Sequence, residues 1–172
     1  MWIGFIVISI VGTLLHFLYE ISGHNKVVAI FAAVNESTWE HIKIALTPTF
    51  LWSLLDGFKY GTSPNYFIAK SASLLVIVFL IPIIFYAYTA ITKKAALWFD
   101  ITYFYVTIFC SQFIFNYIVN MEPFGFIYQY VSVIILFMVF GTYMVGTLEP
   151  VHNFLFKDPI SNKYGKEGHT EE

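Results

Sequence analysis

The chain has 172 residues, of which 58% are hydrophobic, 20% aromatic and 12% charged. That charged fraction is about half of what soluble globular domains contain, and one core of this size cannot hide so much apolar surface. Composition therefore excludes an ordinary soluble domain and predicts an all-α polytopic membrane protein. Nine lysines, no arginine and a net charge of −2 give no basic field, which excludes a nucleic-acid-binding protein.

Apolar segments of the length that a bilayer requires, about 20 residues, recur along the chain. Four segments meet this requirement, namely residues 2–19, 71–92, 101–119 and 124–148. A further segment between Lys43 and Asp56 has only 12 uncharged residues, IALTPTFLWSLL, a length that also suits a re-entrant or interfacial helix.

The distribution of lysines decides how this short segment is interpreted. If it spans the membrane, one side holds seven lysines and the other only Lys59 and Lys70, whereas without this span the split is 5 to 4. Cytoplasmic loops are enriched in lysine, so the uneven split favours five transmembrane helices with the N-terminus outside and the C-terminus inside. We predict a five-helix transmembrane domain over residues 1–156 and a polar cytoplasmic tail over residues 157–172.

Most ionisable side chains fall at the cytoplasmic end of this predicted bundle. His16 and Glu20 share one helix face, and Glu36 and Glu40 share another at the start of the second helix, with His41 about 100° further round the axis. Imidazole and carboxylate groups together suit zinc, iron or manganese, and a bound divalent metal could activate water or polarise a phosphoryl or carbonyl oxygen. We predict a cytoplasm-facing pocket with His16, Glu20 and Glu40 as metal ligands and Glu36 or His41 as the proton-transfer group.

A structural interpretation competes with this one at the start of the second helix. Ser37 and Glu40 match a capping box, in which the Glu40 side chain bonds back to the Ser37 amide, and Asn35 is a second candidate cap. His16 is harder to explain in this way, because it lies about 6 Å inside the end of an apolar helix and needs a partner in the bundle.

Three blocks of sequence give the chain a family resemblance: LHFLYE at 15–20, VNESTWEHIK at 34–43 and FKDPISNKYG at 156–165. The chain resembles an uncharacterised family of small bacterial five-helix membrane proteins, described as a domain of unknown function, and the N-E-S-x-W-E-H block is the most specific match. The resemblance implies a bacterial multi-pass protein of the cell membrane and brings no activity, substrate or cofactor.

Three functional hypotheses follow from these residues. The first is a metal-dependent enzyme that uses the His/Glu pocket on a lipid or small amphiphile. The second is a small-solute or ion permease that works as a homodimer and is lined by Lys43, Asp56 and Asn116. The third is a non-catalytic membrane subunit whose N-E-S-x-W-E-H block and tail dock a cytoplasmic partner.

Overall fold

Residues 1–168 form a bundle of five long helices, with one short helix in the first connection. A computed structural model describes residues 1–168, and no β-strand forms in that part of the chain, which has only an isolated bridge between Lys157 and Tyr164. The predicted all-α class is therefore confirmed. The helices are α1 (Trp2–Ile21), α2 (Lys26–Ala29), α3 (Thr38–Tyr60), α4 (Tyr66–Thr92), α5 (Leu97–Val119) and α6 (Phe126–Leu148), followed by a 3-10 turn at Gly165–Gly168.

Four of these helices, α1, α4, α5 and α6, are long and apolar enough to cross a membrane. They correspond to the four long apolar segments of the sequence. Large apolar side chains point away from the bundle on each of them, for example Ile6, Ile83, Val106 and Phe137. Because lipid is as apolar as these side chains, such an exterior is stable in a bilayer and fits a membrane protein.

Helix α3 is the most polar of the long helices, yet it lies among the others. It packs against α1, α4 and α6, and its first turns are buried almost all the way round. At one end of α3 the hydroxyl of Thr38 lies 3.1 Å from that of Tyr86, and at the other end Asp56 is ion-paired with Lys70. Helices α3 and α4 are therefore antiparallel and run side by side over nearly their whole length.

Two glycines on α1 allow this helix to lie close to α3. A Cβ atom at Gly12 would come within 2.9 Å of the carbonyl oxygen of Ile44, and one at Gly4 would come within 2.7 Å of the Trp52 indole nitrogen. Small residues at such contacts let two helix backbones approach closely, which is a common basis of helix association in membranes. The same pairs show that α1 is also antiparallel to α3.

A buried lysine on α4 is neutralised by a carboxylate on α3. Lys70 is 1% exposed, its ammonium group contacts the Asp56 carboxylate, and its Nζ lies 3.7 Å from the centre of the Phe115 ring. A lysine removed from water is strongly destabilising unless a carboxylate or an aromatic face compensates its charge. This pair therefore joins α3 to α4 at one end of the bundle, opposite to the end that carries the candidate site.

The segment after α6 folds back onto the start of α3. The Trp39 ring lies between the rings of Tyr143 and Phe156, with centroids 4.0 Å away on both sides, and the Trp39 amide donates to the carbonyl of Leu155. Asp158 is buried and accepts hydrogen bonds from the amide of Ile160 and the hydroxyl of Ser161. The predicted tail thus begins as a packed segment, and its residues 169–172 lie outside the described residues.

Candidate metal site

Two histidines and one glutamate converge where α1 ends and α3 begins. His16 lies in the second-to-last turn of α1, Glu36 in the loop before α3, and His41 in the first turn of α3. The Nε2 atom of His16 lies 3.4 Å from one carboxylate oxygen of Glu36, and the Nε2 atom of His41 lies 3.6 Å from the other. One ligand atom from each residue lies within 4.8 Å of the other two.

The ring of His41 is held in the orientation that a metal ligand requires. Its Nδ1 atom lies 2.9 Å from the carbonyl oxygen of Ser37, and since a carbonyl only accepts, this nitrogen carries the proton. The Nε2 atom, the nitrogen that would bind a metal, faces Glu36. Metal-ligating histidines usually donate their second ring N–H to a carbonyl or carboxylate in this way.

The ring of His16 packs edge-on against Phe17, and its centroid lies 5.5 Å from that of His41. Its Nδ1 atom is buried and has no hydrogen-bond partner among the described residues. A buried polar nitrogen without a partner is costly unless water or a ligand satisfies it. His16, Glu36 and His41 are each partly exposed, so the site is open to solvent.

The loop that carries Glu36 is held from three directions. The Ala33 amide donates to the carbonyl of Leu15 on α1, and the Val34 amide donates to the Glu40 carboxylate. The Asn35 side chain donates to the carbonyl of Gly165 in the C-terminal segment and accepts from the Ser37 amide. These bonds fix the backbone on the N-terminal side of Glu36.

The capping box proposed at Ser37 is only half formed. The Ser37 hydroxyl accepts from the Glu40 amide at 3.4 Å and caps α3, as the structural interpretation requires. The Glu40 side chain does not bond back to Ser37, because Asn35 already accepts from that amide. Asn35 and Ser37 together therefore supply the cap, and the Glu40 carboxylate turns into the bundle instead.

Glu40 belongs to a buried network that the sequence analysis did not identify. Glu40 and Lys43 are each 1% exposed, and their charged groups lie 2.5 Å apart. The ammonium group of Lys43 also donates to the carbonyl of Ala29 and the hydroxyl of Thr147, and that hydroxyl donates to Glu40 at 3.0 Å. The only signal in the sequence was the three-residue spacing of Glu40 and Lys43, and nothing local pointed to Thr147.

The structure therefore brings together three of the five residues predicted for the pocket. His16, Glu36 and His41 converge, whereas Glu40 points to Lys43 and Thr147. Glu20 is exposed, one turn beyond His16. The three residues that converge come from three segments of the chain: α1, the loop before α3, and α3 itself.

The residues predicted to line a permeation route do not share one site. Lys43 is paired with Glu40 near the start of α3, and Asp56 is paired with Lys70 near its end. Asn116 lies on α5, where its carbonyl accepts from the Asn120 side chain. Both charged members of the proposed route are thus already compensated by buried partners.

Two histidines and one carboxylate are a recurring donor set for zinc and for non-haem iron. Catalytic zinc sites use three protein ligands and keep a further position open for water or substrate, whereas structural sites are closed by four. This site resembles an open, catalytic type of zinc site. It offers three side chains as ligands, they are partly exposed, and the His41 ring is held by a hydrogen bond. The donor set fits a divalent metal of the zinc or iron type.

The described residues form an all-helical bundle whose four apolar helices of membrane-spanning length are compatible with a helical membrane protein, and a His/Glu cluster lies at one end of it. Over residues 1–166 the sequence matches a family described as "Family of unknown function (DUF6512)". The chain belongs to this family. No curated protein and no solved structure matches it significantly.

Proposed function

We propose that this protein is a metal-dependent enzyme of the cell membrane that binds a divalent metal at His16, Glu36 and His41 and acts on a lipid or small amphiphile. The observation that supports the proposal is the convergence of these side chains, with ligand atoms within 4.8 Å of one another at one end of an apolar bundle. When bound, such a metal supplies a Lewis acid and an activated water at neutral pH.

The roles of the five residues change from those inferred from spacing alone. In the proposal His41 and Glu36 are ligands with His16, and the Nδ1–H group of His41 stays hydrogen-bonded to the carbonyl oxygen of Ser37. Glu40 is a positioning residue, because its carboxylate holds the Val34 amide and with it the loop of Glu36. Glu20, the one carboxylate of α1, is exposed one turn beyond His16 and is the candidate for proton transfer.

The proposal places all five long helices across the bilayer. Helix α3 runs beside α1 and α4 over nearly its full length, and three of its charged residues, Glu40, Lys43 and Asp56, are ion-paired within the bundle. At about 1.5 Å per residue, its 23 residues reach about 34 Å, which exceeds the hydrocarbon thickness of a bilayer. Together with the lysine asymmetry, this length supports the proposal of five spans with the metal site at the cytoplasmic surface.

Metal content of the full chain, purified in detergent without chelator, tests the proposal. We expect close to one equivalent of zinc, iron or manganese per chain, by elemental mass spectrometry, because three protein ligands suffice for a catalytic type of site. His16→Ala, Glu36→Gln and His41→Ala should each lose it. Glu20→Gln is the matched control and should keep the metal, since Glu20 is exposed and outside the cluster.

Circular dichroism and gel filtration should show that the variants fold. Wild-type protein that holds no metal after incubation with each of the three ions would exclude the proposal. Metal that is retained by all three ligand variants would place the ion elsewhere in the chain.

A further inference from the structure

The segment after α6, residues 150–167, has its own internal hydrogen bonds and is called the C-terminal strap below. The Asp158 carboxylate accepts from an amide and a hydroxyl two and three residues further along, and the Asp158 amide donates to the carbonyl of Lys163. Lys157 and Tyr164 pair across this turn as an isolated antiparallel bridge. These bonds lie within the strap, so they do not depend on its contacts with the bundle.

Two backbone carbonyl groups of the strap accept hydrogen bonds from residues on either side of Glu36. The carbonyl of Gly165 accepts from the Asn35 side chain at 2.8 Å. The carbonyl of Leu155 accepts from the Trp39 amide at 3.0 Å. The strap therefore holds both ends of the short stretch of chain that carries the Glu36 carboxylate.

Two close contacts seat the strap on the bundle. The Phe156 ring is 7% exposed and stacks on the Trp39 ring with centroids 4.0 Å apart. Gly165 has a φ of +52°, and a Cβ atom there would lie 2.9 Å from Cγ of Pro150 and 3.1 Å from the carbonyl oxygen of Thr147 at the end of α6. Because glycine alone adopts this conformation without strain and leaves this space free, it lets the chain pass close enough for its carbonyl to reach the loop before α3.

Between these contacts the strap has little support from the bundle. Its side chains from residue 157 to residue 163 are mostly exposed, apart from the buried Asp158, whose partners lie in the strap itself. Segments with few buried contacts open at a lower free energy than the core of a protein. The strap can therefore leave the bundle as a unit, and its release removes the bonds to Asn35 and to the Trp39 amide together.

We propose that the C-terminal strap is a conformational device that assembles the candidate metal site. Seated on the bundle, it keeps Glu36 within 3.4 Å of His16 and 3.6 Å of His41, and its release frees the loop of Glu36 to move. Ligands that are already held in place lose less conformational entropy on binding, so the seated strap raises metal affinity. The effect on metal binding rests on the proposed function, whereas the ordering of the loop does not.

Two variants of the full chain weaken the strap in different ways. Phe156→Ala removes the ring that stacks on Trp39. Asn35→Asp removes the donor to Gly165 but keeps the oxygen that accepts from the Ser37 amide, so the cap of α3 is retained. The added carboxylate by itself favours a nearby cation, so lower metal affinity in this variant reports the lost bond.

Hydrogen exchange of the metal-free protein in detergent, measured by mass spectrometry, reads the order of the loop. We expect peptides that cover residues 33–37 to exchange about tenfold faster in Phe156→Ala and in Asn35→Asp, because local opening then suffices for exchange. Ile160→Ala is the matched control within the strap, since Ile160 is 68% exposed, and this variant should exchange as wild type does. Asn35→Asp decides the question if gel filtration shows that Phe156→Ala does not fold.

Zinc titration of the same preparations separates this proposal from the previous one. We expect zinc affinity to fall about tenfold in both strap variants and to stay unchanged in Ile160→Ala. Unchanged exchange of the loop would overturn the strap proposal, and so would a faster exchange with unchanged zinc affinity; in both cases a metal bound to wild-type protein leaves the metal site standing. Faster exchange of the loop in a protein whose wild type holds no metal would leave the strap as the device that orders this loop, and the metal proposal would fail.

Discussion

Glu40 illustrates how a single residue serves the candidate site without belonging to it. Its carboxylate compensates Lys43, accepts from Thr147 on α6 and holds the Val34 amide of the loop before α3. One side chain therefore connects α3, α6 and the loop of Glu36 in the buried interior of the bundle. Because each partner is buried, removal of the carboxylate leaves several polar groups uncompensated.

Glu40→Ala should lower the free energy of unfolding by about 3–5 kcal/mol, since it leaves the Lys43 ammonium buried and unpaired. Chemical unfolding in detergent, followed by circular dichroism, measures the change. Glu20→Ala, at an exposed position on α1, is the control and should be within about 0.5 kcal/mol of wild type.

The double variant Glu40→Leu with Lys43→Met separates loss of the pair from loss of a charge. Replacement of both partners by apolar residues is often nearly neutral, so this variant should recover most of the stability that Glu40→Ala loses. Its metal affinity should stay reduced, because the Val34 amide no longer has its acceptor. A double variant no more stable than Glu40→Ala would contradict the compensation argument.

At the scale of elements, the contact between α1 and α3 aligns the two histidines. His16 is one turn beyond Gly12 on α1, and His41 is one turn before Ile44 on α3, so the close approach of Gly12 to Ile44 sets the distance between the rings. Any group that separates the two helices at this point also separates the candidate ligands.

Gly12→Ala should therefore destabilise the bundle and weaken metal binding together. The new Cβ would lie 2.9 Å from the Ile44 carbonyl and 3.1 Å from the Phe104 ring, an overpacking that costs about 1–3 kcal/mol. Gly141→Ala is the matched control on α6, where a Cβ meets nothing within 4 Å, and it should be neutral or stabilising by up to about 1 kcal/mol. Chemical unfolding and metal titration on both variants give the two readouts, and normal metal affinity in Gly12→Ala would show that the helix contact does not align the ligands.

At the scale of the whole molecule, two buried polar networks lie at opposite ends of a bundle whose exterior is apolar. One buried ion pair joins α3 to α4 at one end, and the Glu40 network joins α3 to α6 at the other. Both involve α3, which explains how a helix with four charged residues lies among more apolar ones. If α3 crosses the bilayer, the connections before and after it lie on opposite sides of the membrane.

Cysteine accessibility tests this topology in a Cys110→Ser background. Lys26→Cys lies before α3 and Thr62→Cys lies after it, and both positions are exposed. With five spans, a membrane-impermeant maleimide should label Thr62→Cys in intact cells and Lys26→Cys only after permeabilisation. Lys94→Cys should behave as Lys26→Cys does, and equal labelling of Lys26→Cys and Thr62→Cys in intact cells would show that α3 does not cross.

Much of the fold could be predicted because hydrophobicity is a property of local sequence. The four long apolar helices and the all-α class follow from the length of uncharged segments. The N-terminus of α3 was equally local, since Asn35 and Ser37 are typical caps. The length of α3 could not be predicted from hydrophobicity, because charged residues interrupt its apolar run. Two of the groups that compensate these charges, Lys70 and Thr147, lie on other helices, so they are not visible in the local sequence.

The sequence by itself predicted a helical chain with four apolar helices of membrane-spanning length, and it predicted that His16 needs a partner. Only the tertiary structure decided that the partner is Glu36, while Glu40 turns inward and Glu20 faces outward. The physical reason is that residue spacing fixes directions around one helix axis, whereas the rotation of two helices about each other is set by their contact, here Gly12 against Ile44. A carboxylate in a loop has no helical direction at all, so its place beside the histidines depends on the bonds that hold the loop.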